Sequence, residues 1–223
     1  LNDNQTNCHQ ILLSGDGLSD SSSPQSSRVL LQALFQKQGG QLRLSEALAR
    51  GFSRYQFYQL RDEGLIEPVS RGLYRLADLP PIENPDLVAA ATRFPSAVLC
   101  LISALDWHGI TTQIPHQVHL AVARDARLPV LDYPPVAGYR FSGLAFSAGI
   151  EQVDVDGITL NVYNPEKTLA DCFKFRNRIG MDVVLEALEL YRIRKTFLPG
   201  KLMEYARICR VATVMAPYVE AKL

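Results

Sequence analysis

The chain has 223 residues, 47% of them hydrophobic, and its 23 basic and 23 acidic residues cancel to a net charge of zero. This length suits about two domains, and the apolar content is that of a globular protein with a real core. A membrane-spanning helix needs about 18 consecutive apolar residues. The longest apolar stretch, at 97–105, is much shorter than that and contains Cys and Ser. The composition therefore excludes a membrane protein and a strongly charged disordered chain.

The first 27 residues differ in composition from the rest. They contain seven Ser and three Asp but no Lys or Arg. Such a segment cannot bury enough apolar surface to offset its ordering entropy, so residues 1–27 are predicted to be a disordered or adventitious leader. They lack the basic start and long apolar centre of a signal peptide. The acidic string at 14–20 departs from a calcium-binding loop at Leu18, so no metal site is predicted there.

Residues 28–79 are predicted to form a winged helix-turn-helix. Helical patterns at 28–38, 44–50 and 53–63 precede two extended runs around the turn Ser70-Arg71-Gly72. Three helices closed by a hairpin present the third helix to a DNA major groove. Residues 28–76 hold eight basic and four acidic side chains, so a positive charge of +4 is local to this segment. The segment therefore predicts binding to double-stranded DNA.

The third helix and the hairpin at 65–77, called the wing below, supply the candidate DNA contacts. Ser53 is a favoured N-cap, and the helical period directs Phe57 and Leu60 to the core. Gln can pair with adenine and Arg with guanine, and both can bind phosphates, as can Tyr. The candidates are Ser53, Arg54, Tyr55, Gln56, Tyr58 and Gln59 on the helix and Arg71 at the wing tip. Arg75 is expected along the wing, where a backbone phosphate would pass.

Two other interpretations of this helix remain open. One is an ordinary amphipathic helix whose polar face meets only water. The other is a protein-interaction module, in which the winged helix docks a partner protein and binds no DNA. A steep loss of affinity with salt distinguishes a protein that neutralises several phosphates from both of these.

Residues 84–223 are predicted to form a second, mixed α/β domain, which makes the whole chain an α+β fold. Asn84 with Pro85, and Ser96, are predicted to start two helices that form a central hairpin. Period-2 patterns then predict three strands. The predicted elements are helices at 85–94 and 96–109, strands at 117–123, 138–144 and 157–163, and helices at 164–178, 182–195 and 199–211.

An enzyme is the main rival class. Asp154 and Asp156 form a pair that could hold a divalent metal, as in nucleotidyltransferases. However, Asp156-Gly157 is also a favoured hairpin turn, and residues 143–150 lack the Gly-Ser loop such an enzyme needs. The chain is therefore predicted not to be an enzyme.

Cysteine and histidine usage points to neither a disulfide framework nor a metal site. The cysteines, at positions 8, 100, 172 and 209, are scattered and form no CxxC pair. This usage suits a reducing cytoplasm. No cofactor and no metal are predicted.

Four pieces of the chain, in order, carry a resemblance to a known family. They are the winged-helix segment ending in SRGLYRL (70–76), SALDWHGIT (103–111) with Pro115, HLAVA (119–123) and YNPEKTLADCFKF (163–175). With these pieces the chain resembles the AbiEi antitoxins of type IV toxin–antitoxin systems, over about residues 28–210. The aromatic residues Tyr55, Phe57 and Tyr58 depart from what we expect of that family's recognition helix, which leaves the base preference open.

The resemblance implies a DNA-binding N-terminal domain and a mixed α/β antitoxin domain. It implies a transcriptional repressor that binds inverted repeats in its own promoter, with two molecules expected per operator. It also implies neutralisation of a nucleotidyltransferase-like toxin in phage defence, in many cases without a stable complex. No residue of the antitoxic function is identified by it.

Overall fold

A computed structural model describes residues 24–221 of the chain. The acidic string at 14–20 lies outside these residues. The prediction that all of 1–27 is an unstructured leader is wrong at its C-terminal end, because the first helix begins at Pro24. Among the described residues, no helix has the length and apolar character needed to cross a membrane.

The N-terminal unit (24–79) has three helices and a three-stranded antiparallel sheet in the order β1-β3-β2. Its elements are α1 Pro24–Lys37, β1 Gln41–Arg43, α2 Leu44–Ala49, α3 Arg54–Asp62, β2 Ile66–Ser70 and β3 Leu73–Leu76. The predicted order of helices and hairpin is present, and β1 is an addition. Three residues are too few to show a period-2 pattern, so β1 exists because it pairs with β3.

Helix α3 is anchored by its apolar side in the core of this unit. Phe57 and Leu60 are buried there with Leu31, Phe35 and Ala47. The rings of Phe35 and Phe57 lie 5.7 Å apart, and Tyr74 of β3 meets Phe57 edge-on at 5.0 Å. The α3 axis is thus fixed by both α1 and the wing, which leaves the opposite side of the helix to solvent.

The C-terminal unit (84–221) has a five-stranded mixed sheet in the order β6-β5-β4-β8-β7. Its strands are β4 Val98–Leu99, β5 Val118–Ala123, β6 Val136–Phe141, β7 Ile150–Val155 and β8 Ile158–Tyr163. Its helices are α4 Pro85–Arg93, α5 Leu101–Trp107, α6 Leu144–Ser147, α7 Pro165–Lys174, α8 Arg176–Ile179, α9 Met181–Arg192, α10 Pro199–Ile208 and α11 Ala212–Glu220. With the N-terminal unit, this confirms the predicted α+β class.

The predicted helix at 96–109 is wrong in its first part. Val98 and Leu99 form the central strand β4, which pairs with β5 on one side and β8 on the other. An apolar run of this kind is compatible with a buried strand or a helix, and tertiary pairing decides for the strand here. Only α5 remains helical, so the expected central hairpin of helices does not form.

Two smaller corrections concern the helices on either side of the sheet. Asn84 does not cap α4 with its side chain, although Pro85 occupies the first position as predicted. The helix predicted at 164–178 is divided at Phe175 into α7 and α8, while Asn164 caps α7 as expected by accepting from the Lys167 N–H. The sequence pattern does not predict strand β7, because its largely exposed residues give it a weak apolar alternation.

The sheet lies between two apolar layers because neighbouring residues along each strand alternate in direction. Val98, Ala121 and Tyr163 pack into the helical layer that contains α7, α9 and α10. Leu99, Leu120 and Val162 pack on the other face, under α4. Cys100, Cys172 and Cys209 are buried free thiols in the helical layer.

The wing sheet packs against the C-terminal unit. Leu73 is buried in the same apolar cluster as Val88 of α4. Arg43 of β1 donates from Nη2 to the Thr92 carbonyl at 2.9 Å, and the Gln41 amide donates to the Asp156 carbonyl. The two units therefore share an interface that includes the turn between β2 and β3.

Candidate nucleic-acid interface

Helix α3 begins with a reciprocal capping box. The Ser53 hydroxyl accepts from the Gln56 N–H at 3.2 Å, and Gln56 Oε1 accepts from the Ser53 N–H at 2.8 Å. Both side chains therefore satisfy backbone groups of the helix start. Ser-x-x-Gln is the sequence signature of this box. That signature is enough to assign Gln56 a structural role from the sequence alone.

Three predicted residues stand free on the solvent side of α3. Arg54, Tyr55 and Gln59 are exposed, and Tyr55 is 75% exposed. Within residues 24–221 none of the three makes a hydrogen bond or an ion pair with another side chain. An arginine, an amide and an aromatic ring near the start of one helix can read base edges and hold phosphates.

Tyr58, the remaining predicted residue of this helix, is only partly exposed. Its ring packs against the core of the N-terminal unit and meets Phe57 edge-on at 6.4 Å. The Arg61 guanidinium lies 4.7 Å from the centroid of the Tyr58 ring, and it also pairs with Asp62 at 2.7 Å. Tyr58 thus stabilises the packing of α3, and only its hydroxyl is left as a candidate DNA contact.

Arg71 lies on a different element from the six predicted residues of α3 and its N-cap. Arg71 is exposed at the turn between β2 and β3. This turn lies beside the start of α2, since the Leu44 N–H donates to the Gly72 carbonyl at 2.9 Å. Gly72 has a φ of +77°, the left-handed backbone that the turn requires. Arg71 also lines a cleft against α4 of the C-terminal unit.

The expectation that Arg75 faces a phosphate is wrong. Arg75 is 4% exposed, pairs with Glu67 at 3.1 Å, and donates to the Leu79 carbonyl at 2.6 Å and to that of Pro80. Its guanidinium therefore fixes the position of residues 79–80, which follow the wing. Alternation along β3 explains the error, because Arg75 lies on the side that faces this segment.

Most acidic side chains of the N-terminal unit pair with arginines that are not among the predicted DNA contacts. Glu63 pairs with Arg28 at 3.0 Å, Asp62 with Arg61 and Glu67 with Arg75. Three of the four acids in 28–76 are thus matched to arginines outside the predicted set. Arg54 and Arg71 have no such pair among the described residues, so the local excess charge includes both predicted arginines.

The acidic pair of the rival interpretation has structural roles. The Asp154 carboxylate accepts from the Gly157 N–H at 3.0 Å and closes the hairpin turn. The Asp156 carboxylate accepts from the backbone N–H groups of Glu83 and Asn84, each at 3.4 Å. Asp156 therefore holds the linker between the two units. Within 24–221 no three His, Cys, Asp or Glu side chains are grouped in a way that could hold a metal ion.

The charged motif at 163–175 points into the C-terminal unit. Lys167 and Asp171 are both fully buried and form an ion pair one helical turn apart. The Lys167 ammonium also lies 4.0 Å from the centre of the Tyr163 ring, and Cys209 Sγ donates to Asp171 at 3.2 Å. Burial raises the pKa of Asp171, while Lys167 acts in the opposite direction. These charges hold the core together and are not accessible to a partner.

Comparison with known proteins supports the first part of the family resemblance. The family model described as "Transcriptional regulator, AbiEi antitoxin" matches residues 29–77, which include α1, α2, α3 and the wing. A search among curated proteins gives no match. The resemblance drawn from the pieces at 103–111, 119–123 and 163–175 lies outside the matched segment and stays a prediction.

A solved structure shares the overall fold. The crystal structure of RV2827C protein from Mycobacterium tuberculosis is similar with a TM-score of 0.50 and 16% identity. The similarity covers 88% of this chain and 80% of that one, so it includes both units. At this identity the likeness concerns the fold alone. The similarity to the AbiEi antitoxin family of transcriptional regulators is therefore a similarity of residues 29–77.

Proposed function

We propose that this protein is a sequence-specific DNA-binding repressor whose third helix, α3, reads the major groove. The observation that carries the proposal is the exposed start of α3, where Arg54, Tyr55 and Gln59 have no partner among residues 24–221. The capping box and the buried Phe57 and Leu60 hold that helix in place. Rigid support of this kind suits base recognition, because little order has to be gained on binding.

The proposed division of labour follows the two units. Residues 28–79 are the DNA-binding domain, and residues 84–223 are the antitoxin domain. In this proposal the contacts are Arg54, Tyr55, Gln59 and the hydroxyl of Tyr58, with Ser53 and Gln56 supporting the helix start and Arg71 reaching a phosphate.

The family match of residues 29–77 supports the regulatory part of the proposal. The target is the protein's own promoter, through inverted repeats that take two molecules per operator. The second activity is neutralisation of a nucleotidyltransferase-like toxin in cytoplasmic phage defence. We propose no enzymatic activity, cofactor or metal for this chain.

A mobility shift with the protein's own upstream promoter DNA tests the repressor function. We expect a sequence-selective shift that survives random competitor DNA and weakens with salt, with a log–log slope of about −0.9 per phosphate neutralised. The double variant Arg54→Ala/Gln59→Ala should lose the selective shift. Arg140→Ala is the matched control, because Arg140 is exposed on the edge strand β6, away from α3.

No shift at micromolar protein and low salt would overturn the DNA-binding proposal. The protein-docking alternative would then be tested with the product of the neighbouring gene. Tyr55, with its ring 75% exposed on α3, is the residue around which such a docking face would form.

Co-expression with the neighbouring gene product tests the antitoxin function separately. If the C-terminal unit neutralises the toxin, both the wild type and Arg54→Ala/Gln59→Ala should restore growth. Restoration by the wild type alone would assign neutralisation to repression of the toxin gene instead. Growth inhibition that neither protein relieves would contradict the antitoxin proposal.

A further inference from the structure

A cleft of about 720 Å³ lies between the wing and the C-terminal unit. One wall is formed by β1 and the turn between β2 and β3, a second by α4, and a third by the loop at 130–133. Its size lies within the range of pockets that take small molecules. No residue of α3 lines it, so the cleft is separate from the helix proposed to read DNA, although Arg71, a proposed phosphate contact, lines it.

Three arginines from three different elements line this cleft. They are Arg43 of β1, Arg71 of the wing tip and Arg93 at the end of α4. Asp86 and Asp132 line it as well, but no ion pair joins them to these arginines in the part of the chain that the structure describes. Arg43 also donates from Nη2 to the Thr92 carbonyl at 2.9 Å. Arginines that lack an acidic partner among the described residues and surround one concave surface favour an anion, and the planar guanidinium suits phosphate oxygens.

Two buried hydroxyl groups of the cleft have no hydrogen-bond partner among residues 24–221. They are Thr92 Oγ1, in a residue that is only 6% exposed, and Ser70 Oγ. Buried polar atoms are nearly always satisfied, so an unsatisfied pair in one cleft calls for an explanation. Each oxygen is almost fully covered, so either hydroxyl can donate to an anion held by the arginines only after its side chain rotates toward the cleft.

The other side chains that line the cleft indicate which groups the ligand carries besides the anion. The carboxylates of Asp86 and Asp132 can accept only from donors, such as sugar hydroxyl groups or an amino group. Tyr133 and Val130 are 74% and 76% exposed and give the rim an aromatic ring and an aliphatic side chain. A phosphate, hydroxyl donors and a flat ring occur together in a mononucleotide.

We propose that the cleft between the wing and α4 binds a small phosphate-bearing ligand of the mononucleotide class. Arg43, Arg71 and Arg93 hold the phosphate together with the hydroxyls of Thr92 and Ser70. Asp86 and Asp132 accept from the sugar or base, and Tyr133 stacks on the base. This ligand site goes beyond the proposed DNA-binding function and shares only Arg71 with it.

Isothermal titration calorimetry with the full chain tests the site. The probes are AMP, GMP, CMP, UMP and inorganic phosphate. We expect at least one nucleotide to bind more tightly than inorganic phosphate, because only the nucleotide reaches Tyr133 and the two aspartates. Arg93→Gln should weaken both kinds of probe about tenfold, the usual effect of losing one charge-assisted hydrogen bond.

Two further variants and one control sharpen the assignment. Thr92→Val keeps the shape of the side chain and removes the hydroxyl, so it should weaken every probe several-fold without unfolding α4. Tyr133→Ala should weaken the nucleotides and leave inorganic phosphate unchanged. Arg140→Gln removes an equal charge outside the cleft and should change neither. Circular dichroism spectra that match the wild type establish that each variant is folded.

Three results would overturn the proposal. The first is the absence of binding heat with all five probes at millimolar concentration. The second is an equal loss of binding in Arg140→Gln and Arg93→Gln, which would indicate general charge attraction only. The third is a folded Arg93→Gln variant that loses affinity for random duplex DNA while its nucleotide binding equals that of the wild type. The cleft would then hold backbone phosphate of DNA.

Discussion

Helix α3 of the N-terminal unit exposes its charged side chains, whereas helix α7 of the C-terminal unit buries most of its charged side chains. In the N-terminal unit, the apolar side of α3 is buried and Arg54 and Gln59 face solvent. In the C-terminal unit, α7 buries nearly its whole circumference, including Glu166, Lys167 and Asp171. A polar residue in a helical pattern therefore does not by itself mark a surface, and only the packing around each helix decides which role it has.

The difference also separates two kinds of sequence motif. Arg54, Tyr55 and Gln59 are exposed and can be changed with little effect on the fold, unlike the cap, the buried Phe57 and the partly buried Tyr58. The motif at 163–175 combines an N-cap, a buried ion pair and aromatic rings around an ammonium group. It is a folding element, which explains why no antitoxic residue can be assigned from it.

The largest expected effect is on the buried pair of α7. Lys167→Ala leaves the Asp171 carboxylate buried without its partner, so we expect the free energy of unfolding to fall by about 3–5 kcal/mol. Urea denaturation followed by circular dichroism measures this. Lys195→Ala, at an exposed lysine, is the control and should change stability by less than about 0.5 kcal/mol.

A double variant tests whether the loss comes from the unpaired charge. Lys167→Met/Asp171→Leu replaces the pair by apolar side chains of similar size, and most of the lost stability should return. A double variant that is as unstable as Lys167→Ala would show that the pair stabilises through the hydrogen bond from Cys209 and the cation–π contacts of Lys167 rather than through charge balance.

The C-terminal unit also buries a histidine, which makes its stability sensitive to acid. Burial lowers the pKa of His119 to about 4, and the charge of Arg178 acts in the same direction, against a hydrogen bond with the Gln117 backbone. The unfolded chain binds the proton near pH 6.5 and the folded chain only near pH 4, so stability is lost as the pH falls through this window.

The full effect of His119 is about 3 kcal/mol, reached below about pH 4. The measurement is the free energy of unfolding between about pH 7.5 and pH 4.5 for the wild type and for His119→Asn, a range that covers most of the window. The variant should show a flatter profile, because all other titrating groups are common to both proteins. Parallel profiles would contradict the assignment of this acid sensitivity to His119.

The same contrast explains how much of the fold can be predicted. Helices of the N-terminal unit show a clear apolar side, so the sequence places α1, α3 and the hairpin to within a few residues. Strand β4 resembles part of a helix because Val98 and Leu99 are apolar on both sides of the sheet. Strands β1 and β7 depend on pairing with other strands, which no local pattern of residues records.

The candidate site is predictable to a smaller extent. The exposure of Arg54, Tyr55 and Gln59 follows from the helical period, and the capping box follows from the spacing of Ser53 and Gln56. The arginines of the cleft follow from no pattern, since Arg43, Arg71 and Arg93 are far apart in sequence and meet only when the wing packs on α4. The position of Arg75 depends on the course of the chain after the wing.

Exchanging residues of the N-terminal unit should change recognition with little effect on folding. We expect Gln59→Ala to relax discrimination at one base pair by about 1–3 kcal/mol, because one paired contact is lost. Arg71→Ala should instead weaken binding to all sequences alike, as the loss of one phosphate contact does. Competition with single-base operator variants measures both effects. Equal losses on specific and random DNA for both variants would contradict the assignment of α3 as the reading helix.

The smallest expected effect concerns Ser53. Two substitutions there distinguish its contribution to protein stability from its contribution to DNA binding. Ser53→Ala removes the cap of α3 and should lower the free energy of unfolding by about 1 kcal/mol. Ser53→Asp keeps a good N-cap, so stability should match the wild type, but its carboxylate stands where a DNA phosphate would approach. This variant should therefore bind DNA more weakly than Ser53→Ala although it is more stable. If Ser53→Asp binds DNA as well as the wild type, the start of α3 does not face the DNA backbone, and Ser53 belongs with Lys167 and Asp171 among the residues that serve the fold alone.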